Sequence, residues 1–195
     1  MFVARPLTLA DVAAPRSNAL ANAALVLAAS LLTAGAAQLE LRLPWTPVPI
    51  TGQTFAVLLT GAVLGARRAF LAQCLYLLEG ISGLPVFAGG SAGVVTLVGP
   101  TGGYLVAFPF AASLTGLLAE RAWDRRPITM FLAMLAGSTV IFGLGLAYLS
   151  AFVPRGTLLA SGLLPFLPGD LIKSLVAAAA FPTAWKLVSR LGSPA

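Results

Sequence analysis

The chain contains no histidine and one cysteine, Cys74, in 195 residues. A disulfide within the chain is therefore excluded, and a zinc site built from histidine and cysteine would have a single ligand, too few to hold the ion. Cys74 lies inside an apolar run and reads as a small buried side chain. Charge is scarce as well. Charged residues make up only 9% of the chain, where a soluble domain carries roughly 25%. With 58% hydrophobic residues, a water-soluble core cannot hide this much apolar surface, but lipid can be its solvent. No G-x-x-x-x-G-K-[ST] loop surrounds Lys173 or Lys186, so the chain is not expected to split ATP alone. Gly89-Gly90-Ser91-Ala92-Gly93 fits G-x-S-x-G, but without histidine its serine has no ordinary base. Catalysis, a metal and a cofactor are not expected. The net charge of +6 is dispersed between apolar runs, with no basic stripe alternating with aromatics, so nucleic acid is not an expected partner.

What remains is an all-α integral membrane protein, expected to form one domain of six transmembrane helices. The segments are about 18–39, 51–66, 69–81, 104–119, 128–152 and 169–188. The second and third are short for a span, which implies tilt or local thinning. No signal-peptide core precedes the first, so cleavage is not expected. Three links between segments are rich in proline or glycine, at about 43–50, 82–103 and 154–168. Irregular apolar backbone of this kind is tolerated only against protein or beside a cavity. Lysine and arginine fall unevenly across alternate links. Arg5, Arg16, Arg67, Arg68, Arg121, Arg125, Arg126, Lys186 and Arg190 lie on one side, against Arg42 and Arg155 on the other. The rule that cations stay inside then puts both termini in the cytoplasm and the three irregular links outside, in the cell membrane.

Pro168-Gly169-Asp170-Leu171-Ile172-Lys173 is the most informative stretch. Asp170 and Lys173 sit one helical turn apart on one face. Ionisable groups in a membrane segment are costly and mark function by default. A helix cap accounts for Asp170 but leaves Lys173, which opposes the helix dipole there, without a reason. Gln53 and Thr54 open the second segment and suit either a ligand or a neighbouring helix. Trp45, Phe55, Phe87 and Tyr104 lie at outer ends or in outer links, consistent with an interfacial belt or an aromatic-lined pocket. Ala24 and Ala28, and Gly61 and Gly65, are small residues four apart that let helices approach closely.

Four blocks resemble the BioY family: Pro47-Val48-Pro49-Ile50-Thr51-Gly52-Gln53-Thr54-Phe55, Gly83-Leu84-Pro85-Val86-Phe87, Pro100-Thr101-Gly102-Gly103-Tyr104-Leu105, and Pro165 through Lys173. They occur in the family's order, and the resemblance covers about residues 24–185. It implies a biotin-binding S subunit of an energy-coupling-factor transporter, with high affinity and an outward-facing site. Its implied partners are a transmembrane coupling subunit and two ATPase subunits, and the subunit is thought to topple in the bilayer. The resemblance makes Ala24 and Ala28 the docking surface for the coupling subunit. It has Asp170 accept from the ureido N–H groups of biotin, and Lys173 donate to the ureido oxygen or the carboxylate. Tyr104, Phe87, Trp45 and Phe55 would cover the apolar head, with Gln53 beside them and residues 44–50 as a lid. The partner of the tail carboxylate stays open among Lys173, Arg42, Arg155, backbone N–H groups and water.

Overall fold

The computed structural model of the chain describes residues 8–13 and 18–191. Arg5 and Arg16, counted above for orientation, lie outside them. A short helix α1 (Leu9–Ala13) precedes α2 (Ala19–Ala37), whose first turn is capped by Asn18, its side chain accepting from the Ala21 N–H at 2.8 Å. Two residue-pairs, β1 (Glu40–Leu41) and β2 (Ile50–Thr51), run antiparallel with Glu40 opposite Thr51. They pinch off the proline-rich link between them. Then come α3 (Gln53–Leu64), α4 (Ala66–Ile81), α5 (Val94–Val98), α6 (Gly102–Ala119), α7 (Pro127–Leu149), α8 (Leu158–Gly162) and α9 (Leu167–Leu191).

Among the described residues, four stretches are long and apolar enough to cross a membrane: α2, α6, α7 and residues Arg155–Val188, which hold most of α9. The helix read over 51–66 spans 12 residues, and that read over 69–81 spans 16. The fifth segment, read to 152, stops at Leu149. Two links read as irregular throughout are not. A 3-10 turn (Ala88–Gly90) and α5 occupy one, and a second 3-10 turn (Arg155–Thr157) and α8 occupy the other. Five-residue helices are too short to show a helical period in sequence.

α6 is the centre of the bundle, with 67% of its apolar window buried, whereas α2 is peripheral at 22%. α6 packs on α3, α4 and α7. Gly61 on α3 makes the α3–α6 approach possible, because a Cβ there would meet the Ala112 carbonyl oxygen at 2.5 Å. Fully buried Tyr76, Met130, Met134, Ile141 and Leu149 fill the interior. Leu31, Leu71, Ile128 and Val176 stay exposed on the outer surfaces, where lipid is the natural solvent. At the ends of α6 and α4, Glu120 accepts the Ala66 N–H at 2.9 Å and satisfies an orphan donor of the α4 N-terminus.

Candidate functional site

A cavity of about 390 Å³ opens where the proline-rich link, the N-terminus of α3, the glycine-rich link, α6, α7 and α9 meet. Its size falls in the roughly 300–1,000 Å³ range of small-molecule sites. Asp170, Lys173, Gln53 and Tyr104, all singled out by sequence, line it together.

Asp170 is buried on the first turns of α9, and its Oδ1 accepts from Ser138 Oγ of α7 at 2.7 Å. Among the described residues Oδ2 has no protein donor. Lys173, a turn further along, reaches the start of α3. Its Nζ donates to the Thr51 carbonyl at 2.8 Å and to Thr54 Oγ1 at 3.1 Å. An ammonium has three protons, so one remains for a guest. Lys173 is therefore held across the bundle and does not snorkel to the membrane surface. The two residues sit one turn apart on α9, while their side chains bond to different elements, Asp170 to α7 and Lys173 to the start of α3. Gln53 is buried, and its Nε2 donates to the Tyr76 hydroxyl at 2.5 Å, which donates in turn to the Val86 carbonyl at 3.1 Å. That chain of bonds fixes the Gln53 amide at the cavity wall.

Much of the remaining lining is aromatic. Tyr104 is pinned by its hydroxyl, which donates to the Gly162 carbonyl at 2.8 Å, so it offers mainly its ring. Phe166 lies 6.3 Å from the Tyr104 ring and 6.2 Å from that of Phe142, and Phe108 adds a further face. Ring pairs at such separations pack favourably and form a stiff apolar surface. The cavity thus combines aromatic rings with a carboxylate, an ammonium and an amide. It can orient a small, largely uncharged polar ring system.

Three expected residues do not line it. Phe87 is buried against Tyr76, with ring centroids 5.5 Å apart, and against Gly80. Phe55 packs on the core, and Trp45 is exposed. The link that carries Trp45 does line the cavity, through residues 46–50, and Thr46 Oγ1 donates to the Ser161 carbonyl of α8 at 2.5 Å. Ser138, Phe108, Phe142 and Phe166 were not singled out by sequence. Only the fold brings them here. Phe166 stands inside the block that carries Asp170, which was the one available signal.

Two acidic groups outside the membrane segments are tied to structure. Asp11 is bound by the Thr8 N–H and hydroxyl and by Arg68 Nη2 at 2.5 Å. Those bonds outweigh burial and hold its carboxyl below the ordinary 3.8. Asp124, in the 3-10 turn Trp123–Arg125, accepts from Trp185 Nε1 at 2.6 Å. There burial dominates and pushes the carboxyl above 3.8, against the pull of Trp185 and Arg125.

The BioY family model matches residues 10–190. "Biotin transporter BioY" of Rhizobium etli is 38% identical over 164 residues, 80% of this chain and 84% of that protein. "Biotin transporter BioY" of Thermotoga maritima is 43% identical over 138 residues, 70% and 80% of the two chains. "Probable biotin transporter BioY" of Pyrococcus horikoshii is 40% identical over 131 residues, 67% and 76%. The fold is similar to the crystal structure of the S-component for biotin from an ECF-type ABC transporter. The TM-score is 0.76 at 25% identity, over 86% of this chain and 92% of that one.

Proposed function

We propose that this chain, which belongs to the BioY family, is a multi-pass membrane protein that binds biotin from outside the cell and delivers it inward as the S component of an ECF transporter. Its relatives are named as transporters, so its work is transport and not catalysis. The observation that carries the reading is the pairing, in one cavity, of a buried carboxylate and an ammonium with an aromatic wall. Biotin has a fused ring head with a cyclic urea and a charged tail. Oδ2 of Asp170 accepts a urea N–H, and the remaining proton of Lys173 goes to the urea oxygen or to the tail carboxylate. Tyr104, Phe142 and Phe166 receive the ring faces, and Gln53 adds a polar contact. Charge-assisted bonds out of water support high affinity and a fixed orientation.

The site opens outward under six crossings with both termini in the cytoplasmic membrane's inner side, as the uneven placement of cations supports. The chain carries no phosphate-binding loop of its own, and its likeness to the S-component of an ECF-type ABC transporter supports two ATPase subunits and a transmembrane coupling subunit as the partners that supply energy. Ala24 and Ala28, exposed on α2, support a close-packing surface for that subunit.

A thermal-shift panel on the purified protein, with biotin and several other vitamins, tests the reading. Stabilisation by biotin alone is the expected result. Stabilisation by another vitamin and not by biotin would overturn it.

A further inference from the structure

We propose that Arg42, at the mouth of the cavity, receives the carboxylate of the ligand's tail, and that Glu40 sets how strongly it does so; this rests on the reading of the cavity as a biotin site. The two ends of the cavity differ in exposure. At the inner end Asp170 is 5% exposed and Gln53 4%. At the outer end the Arg42 side chain is 69% exposed and still lines the cavity. Arg42 and Lys173 are the cations among the lining residues. Lys173 already gives two of its protons to Thr51 and Thr54. A guest that enters ring-first trails its carboxylate toward the mouth, where water still reaches it and the cost of burying a charge is least.

The guanidinium at that mouth is held in place. Arg42 Nε lies 3.0 Å from Glu40 Oε1, and Nη2 lies 3.4 Å from Oε2. A guanidinium has five N–H donors, so both protons of Nη1 and one of Nη2 stay available. Glu40 is fixed in turn by its pairing with Thr51 in the two-stranded ribbon. The 3-10 turn Ala88–Gly90 packs against the ion pair, and a Cβ at Gly89 would strike both Arg42 Nη2 and Glu40 Oε1. Gly89 has a φ of +63°, so glycine meets both the backbone and the space requirement. Ala88 of the same turn lines the cavity. The ribbon and the turn thus fix a half-used guanidinium fork at the entrance.

Glu40 neutralises Arg42, so an arriving carboxylate meets a pair of zero net charge. Removing either charge then has opposite consequences for an anionic tail and none for a neutral one. Calorimetric titration of the full chain with biotin and with biotin methyl ester reads this out. Arg42→Ala is expected to weaken biotin about fivefold, a modest factor because the site is exposed, and to leave the ester unchanged. Glu40→Gln is expected to tighten biotin and leave the ester unchanged. Equal effects on both ligands, or no effect of either variant on biotin, would overturn the assignment to Arg42 and leave the biotin site standing. A wild-type protein that binds neither ligand would overturn the biotin reading itself, and this inference with it.

Discussion

Ser138 on α7 donates its hydroxyl proton to Oδ1 of Asp170 on α9 at 2.7 Å, and both side chains are buried. The bond turns the carboxylate so that one oxygen is engaged by protein and the other is left for a guest. A hydrogen bond to a charged group is worth about 1.5–3 kcal/mol when a buried partner would otherwise be orphaned. Ser138→Ala is therefore expected to weaken biotin binding by about tenfold or more, measured by calorimetry. Ser138→Thr, which keeps the hydroxyl, should retain most of the affinity. Equal loss in both variants would point to packing and away from the hydrogen bond.

Ala24 and Ala28 are exposed on α2, away from the ligand cavity. Ala24→Trp with Ala28→Trp should leave biotin affinity unchanged, because neither residue touches the cavity. The same pair should abolish co-purification with the proposed coupling subunit, since bulky side chains prevent close helix approach. Retained co-purification would remove α2 from that interface.

Asp124 links the α6–α7 turn to α9 through Trp185. Its carboxyl is raised above 3.8 by burial, so the folded protein binds its proton more readily than the unfolded chain does. The associated stability is fully present below pH 3.8 and is lost as pH rises through the folded value. Asp124→Asn, which keeps an oxygen for Trp185, should melt higher than wild type at neutral pH. That advantage should shrink as pH falls toward 3.8. A pH-independent difference between the two melting curves would contradict this.

The site was legible in sequence where lipid makes a residue expensive. Asp170 and Lys173 are the ionisable groups in the otherwise uncharged stretch 167–185 of α9, and nothing but a protein-lined cavity accommodates them well. Gln53 and Tyr104 were legible for a related reason, as polar groups beside glycine and proline at segment ends. Ser138 gave no signal. Serine in an apolar helix commonly satisfies itself on its own backbone, and only the neighbouring α9 turns this one into a carboxylate partner. Phe87, Phe55 and Trp45 show the converse. Their position in the chain put them near the outer end, but rotation about each backbone decided what they face. Phe87 turns inward to Tyr76 and Gly80, and Trp45 turns outward from the link that lines the cavity. Phe108, Phe142 and Phe166 took the wall because the bundle's packing brought their rings there, and one apolar residue among many carries no mark of that in sequence.

The central claim is that the Asp170 and Lys173 side chains hold the ring system of biotin. Calorimetry of purified wild type, Asp170→Asn and Lys173→Ala with biotin tests it most directly. The account predicts saturable binding by wild type and a loss of at least about a hundredfold in Asp170→Asn, which replaces a charge-assisted acceptor, with a large loss in Lys173→Ala as well. Affinity close to wild type in both variants would contradict it.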